Sequence, residues 1–268
     1  MIILKYELKQ MKTLVIAWSL AIAILVFLLV PVYIDIGKSV GTDDQQLDQV
    51  ISDNEFLQAV DMSAEFLSKP IGMYGFLNGW FFALAASVLA MYVGLSVNTK
   101  DFTGKSVDFI YTKPFNRSKI FLSKLLAASV VVFTVGIVYF VSSYAALRIN
   151  LPEGFDMNMF IHLAFSLIML QGIYLALGIF VGVLWPRNRR PLLFSVTVVF
   201  ITVVIGTFAA VMSFDWMLFL SPPKFFGGSV IASMGGYDMR FVYWLFFLVI
   251  AFIVSGYFIF KKKDLITV

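Results

Sequence analysis

Six apolar runs, at about 13–34, 76–98, 125–147, 159–185, 192–213 and 241–260, are each long enough to cross the hydrocarbon core of a bilayer as a helix. Lipid offers no partner to an unpaired backbone N–H or C=O, so runs of this kind pair internally, as helices. The chain therefore reads as an all-α integral membrane protein, a single transmembrane domain over residues 1–268 with six transmembrane helices. Of its residues 60% are hydrophobic and only 13% charged, which leaves no room for a separate soluble catalytic domain. Cysteine is absent, which excludes disulfides and thiolate metal sites, and a net charge of +4 gives no reason to expect nucleic acid.

Charge orients the spans. Lys5, Lys9 and Lys12 precede the first run, and Lys100, Lys105, Lys113, Arg117, Lys119 and Lys124 lie between the second and third. Arg187, Arg189 and Arg190 join the fourth to the fifth, and Lys261, Lys262 and Lys263 follow the sixth. Basic residues collect on cytoplasmic loops, so these segments and both termini are expected on the cytoplasmic side of the membrane. The long polar stretch 35–75 carries Asp35, Asp43, Asp44, Asp48, Asp53, Glu55, Asp61 and Glu65 against Lys38 and Lys69, and belongs outside. Its apolar positions recur every three or four residues, which predicts short amphipathic helices on the outer face.

Three smaller features complete the expected architecture. Residues 1–12 alternate basic and apolar positions as a short helix in the cytoplasmic interface does, with Lys5, Glu7 and Lys9 as its candidate site residues. The run that follows is too long for a signal peptide and lacks a small-residue cleavage site, so it stays as the first span, bent or ended by Pro31. Residues 214–240 hold only short apolar pieces broken by Pro222, Pro223, Gly227, Gly228, Gly235 and Gly236, which predicts a re-entrant or interfacial pair of short helices before span six.

Catalytic signatures are missing. Gly104-Lys105-Ser106 resembles the end of a phosphate-binding loop, but Thr99 stands where its first glycine is required and a span precedes it instead of a strand. His162, the single histidine, has no carboxylates or cysteines clustered with it in sequence. The spans hold uncharged polar groups, of which Asn78 and Gln171 are candidate pathway residues, but no carboxylate or cation deep inside of the sort that carries a coupling ion. Energy for transport then has to come from another chain.

The connection 99–124 is the most informative stretch. Phe102, Val107, Phe109 and Ile110 form the apolar side of a short helix over 101–111 with Lys105 and Asp108 on a polar side. Pro114 stops that helix at Lys113, and Asn116 or Ser118 caps the next one. Its order is Lys100-Asp101, a turn at Thr103-Gly104, an aromatic-aliphatic stretch, then Thr112-Lys113-Pro114 and Asn116-Arg117-Ser118-Lys119-Ile120 before Lys124. This resembles the coupling segment of the membrane subunits of type-2 ABC exporters, and the six-span plan, the N-terminal interfacial helix and the Leu220–Phe226 re-entrant stretch are similar too. Two positions depart: Asp101 stands where the family has Glu, and Lys105 follows Gly104 where the family prefers Thr.

The resemblance implies a permease subunit, not itself an enzyme, with a cytoplasmic coupling helix between spans two and three. Asp101, Phe102, Gly104, Asp108, Phe109, Lys113, Pro114 and Arg117 are its implied contacts with the ATPase. It implies two copies of a cytosolic ABC ATPase that bind ATP and magnesium, and a permease homodimer or close-paralogue heterodimer in the lipid bilayer. The path walled by Phe, Leu, Val and Met suits hydrophobic or amphipathic cargo, peptide or lipid-like, and relatives of this kind are linked to antimicrobial or cytolytic peptides. An ATP-independent channel or carrier and a non-transporting scaffold are the rival expectations.

Overall fold

The computed structural model of the chain describes residues 2–40, 54, 57, 59, 62, 64–67, 70–103 and 116–262. Six long helices cross it, each long and apolar enough to span a membrane. They are α1 (Ile2–Val40), α2 (Pro70–Leu77, Asn78–Phe82 and Ala83–Thr103, continuous), α3 (Arg117–Asn150), α4 (Met157–Leu184), α5 (Pro191–Val211) and α6 (Met239–Lys262). Among the described residues there is no strand.

The helices begin and end where local chemistry allows. Asn116 caps α3 by accepting from the Ser118 N–H at 3.1 Å, and Asp156 caps α4 by accepting from the Met159 N–H at 3.1 Å. Pro70 and Pro191 occupy first turns, where a missing N–H costs nothing. Ends also run past the apolar runs, because a helix needs no lipid to keep its ladder.

Two expectations change at α1. Residues 2–12 are helical, but no break separates them from the first span, so the N-terminal segment is the first part of one long helix and not a separate interfacial element. Pro31 does not end it either; the helix continues to Val40, the bond lost at one proline being outweighed by those kept on either side. The expected helix over 101–111 lies mostly outside the described residues, and Asp101, Phe102 and Thr103 continue α2.

At the centre, α2 packs along α4, and these two have the largest buried share. Their contact depends on glycine. A Cβ on Gly178 would stand 2.4 Å from the Met91 carbonyl oxygen, and one on Gly94 would stand 2.5 Å from that of Leu175, so the two backbones touch. Outside the pair, α1 lies along α3, α6 along α4 and α5 along α2. These outer helices turn Ile24, Phe27 and Leu28, or Phe200 and Val204, or Phe246, Phe247 and Ile250, outward, as lipid-facing helices do.

Between α5 and α6 the chain makes three short helical pieces, Asp215–Leu218, Pro222–Phe226 and Gly228–Met234, where the sequence predicted a pair. None is long enough to cross a bilayer. Phe225 and Phe226 are buried, Phe225 stacks on Phe241 of α6 at 5.1 Å, and the Trp244 indole donates to the Phe219 carbonyl at 2.9 Å. Gly235, at φ +66°, supplies the left-handed residue that ends the last piece.

Candidate functional site

Successive helices alternate direction, so the start of α1, the end of α2, the start of α3, the α4–α5 connection and the end of α6 gather at one end. Among the described residues, Lys5, Lys9, Lys12, Lys100, Arg117, Lys119, Lys124, Arg187, Arg189, Arg190, Lys261 and Lys262 lie there, as do the end of α2 and the start of α3.

Three charged side chains meet at this end. Glu7 of α1 is fully buried, Lys124 of α3 is 2% exposed and Lys100 of α2 is 24% exposed at the side chain. Lys100 Nζ donates to Glu7 Oε2, and Lys124 Nζ lies 3.6 Å from Glu7 Oε1 and donates to the Val97 carbonyl of α2. Taking such charges out of water is costly, and removing one partner of a buried pair typically costs about 3–5 kcal/mol. Nearby, Arg117 Nη1 donates to the Lys261 carbonyl at 3.1 Å and Ser118 shares a hydrogen bond with Tyr257 at 2.9 Å, joining the start of α3 to the end of α6. The arrangement positions helices; among the described residues no group of His, Cys, Asp or Glu gathers to hold a metal.

The sequence-predicted residues fall out as follows. Lys5 and Lys9 are exposed on α1 while Glu7 faces inward, so this trio does not form one polar face. Asp101 and Phe102 sit in the last turn of α2, and Arg117 opens α3. Gly104, Asp108, Phe109, Lys113 and Pro114 lie outside the described residues. Asn78 and Gln171 are both enclosed within the single chain, at 2% and 0% exposure.

Asn78 opens a π-helical turn, Asn78–Phe82, in α2. Its amide donates to the Leu163 carbonyl at 2.7 Å and accepts from the Tyr139 hydroxyl at 2.6 Å, which in turn is 2.9 Å from the Tyr74 hydroxyl. Neither tyrosine stood out in the sequence, because a lone Tyr in an apolar run looks like any aromatic core residue. Among the described residues Gln171 has no hydrogen-bond partner on either side-chain atom, and a Cβ on Gly136 would come within 2.7 Å of its Oε1. Glu7 and Lys124 were also missed as a pair. The available signal was register: Glu7 precedes Met11 by four residues and so continues the stripe of Ile22, Val26, Val30 and Ile34 that α1 buries.

At the opposite end a cavity of about 240 Å³ lies between α2, α5 and the short helices, lined by Phe76, Trp80, Leu84, Val203, Leu218 and Phe226 among others. Lys224 reaches into this region, donating to the Ala59 carbonyl, with its ammonium 5.6 Å from the centre of the Trp80 ring.

No curated protein matches the sequence. The family model described as "ABC-2 family transporter protein" matches residues 1–265. That match covers nearly the whole chain and agrees with its six membrane-spanning helices, which makes this a multi-pass membrane protein of a transporter that associates with an ATPase subunit. The chain belongs to the ABC-2 family of transporter proteins.

Proposed function

We propose that the chain is the permease of an exporter in the bacterial cytoplasmic membrane, both termini inside, paired with a second copy or close paralogue and driven by two cytosolic ATPase subunits that bind ATP and magnesium. The observation that carries this reading is the rooting of residues 104–115. They connect α2, half of the tightest helix pair in the fold, to α3, and their roots are tied to α1 and α6. A push on that segment is delivered to the core. Asp101, Phe102, Gly104, Asp108, Phe109, Lys113, Pro114 and Arg117 are the residues that meet the ATPase.

The cargo is hydrophobic or amphipathic, a peptide or lipid-like molecule. Support comes from the spans, whose ionisable groups lie toward the helix ends, and from the mainly aromatic and aliphatic lining of the 240 Å³ cavity, in which Lys224 is the one cation among the described residues. The test is a pull-down of the tagged chain in mild detergent beside the double variant Asp101→Ala, Arg117→Ala. An ATPase captured by the parent and lost by the variant is the expected result. Capture by neither, from properly folded protein, would replace this reading with an ATP-independent channel or a scaffold.

A further inference from the structure

One carboxylate from α1 holds the helices on both sides of residues 104–115. Lys100 lies in the last turn of α2 and Lys124 two turns into α3, and Glu7 meets the first through Oε2 and the second through Oε1. Lys124 also bonds the Val97 carbonyl, so α2 and α3 are tied to each other as well as to Glu7. Further along, α1 packs through apolar groups such as Ile22, Val26 and Val30. A buried ion pair adds a defined register to that packing and is lost if the partners shift.

We infer that Glu7 is a positioning residue of the drive: it locks α1 to the roots of the 104–115 segment, so that α1, α2 and α3 move as one body when the segment is pushed. This rests on the reading that an ATPase acts on that segment. Displacement of the segment reaches α2 and α3 along the backbone, and Glu7 carries it across to α1. Without the carboxylate, α1 stays behind.

The chain has no cysteine, so labels can be placed singly. Lys12→Cys and Leu126→Cys put spin labels at exposed positions on the basic halves of α1 and α3, and the full complex with its ATPase is compared in lipid nanodiscs without nucleotide and with vanadate-trapped Mg-ATP. In the parent the dipolar broadening is expected to be the same in both states. In Glu7→Gln, with the ATPase still bound, nucleotide is expected to reduce the broadening as the labels separate. A role in stability alone would not make the spectrum depend on nucleotide. If Glu7→Gln folds poorly, Lys124→Met removes the arm to α3, the helix that carries the second label, and is expected to show the same nucleotide-dependent loss. Spectra indifferent to nucleotide in every folded variant, or labels that separate in the parent, overturn the inference and leave the transport reading standing. Failure of the parent to bind any ATPase is read by pull-down, and overturns both.

Discussion

Single side chains at opposite extremes of pairing make the sharpest tests. Gln171 is buried, its amide unpaired among the described residues, so replacing it with the similarly sized Met removes an unsatisfied polar group; thermal unfolding in detergent should show stabilisation of about 1–3 kcal/mol. Asn78 is the converse. Asn78→Leu takes an acceptor from the Tyr139 hydroxyl and a donor from the Leu163 carbonyl, and should destabilise by about 1–3 kcal/mol in the same assay, although both residues are polar groups buried in spans. Asp238, just before α6, accepts from the Arg240 N–H at 2.9 Å and from its guanidinium. Hydrogen bonds from the Arg240 side chain hold the Asp238 carboxyl below the usual carboxylate range. A lowered carboxylate stabilises the fold above its unfolded-state pKa and loses that contribution as pH falls through the folded value, so the effect of Asp238→Asn on unfolding temperature should shrink below about pH 4. Near neutral pH, Asp238→Ala should cost about 1 kcal/mol through loss of the cap.

At the level of helices, the α2–α4 contact is the place to probe. Gly178→Val cannot be accommodated without parting the backbones at Met91, and a loss of about 1–3 kcal/mol or failure to fold is expected, whereas Gly172→Ala, with open space around its Cβ position, should behave as the parent. Gly178 and Gly182 stand four apart in one run as small residues, but nothing in the sequence points to the partner Gly94, which lies on another run. The spans themselves were legible because apolar length in lipid leaves the backbone only one solution. Their ends were less so: α1 and α2 extend beyond the apolar runs, since helical hydrogen bonding continues into polar surroundings. The π-helical turn at Asn78 had no marker in sequence; the side chain that opens it bonds Tyr139 and Leu163 from two other helices. The burial of Glu7 depended on knowing that residues 2–12 and the first span are one helix; split at Thr13, they hide its register.

For the whole molecule, orientation is the first thing to measure. Single cysteines at Lys262 and Glu153, both exposed and at opposite ends of the fold, should react with a membrane-impermeant maleimide from opposite sides in intact cells: Glu153→Cys from outside, and Lys262→Cys only after permeabilisation. The reverse pattern would invert the proposed topology and with it the surface offered to an ATPase. The length of α1 then has a mechanical meaning. From Glu7 to Val40 an unbroken helix rises about 50 Å, well beyond the roughly 30 Å of a hydrocarbon core. A rod of that length fulcrumed near Glu7 acts as a lever, and a tilt of about 5° at the basic end sweeps its far tip through about 4 Å. On the proposed ATPase-driven reading, motion too small to notice at the basic end becomes, across the bilayer, a displacement on the scale of a side chain.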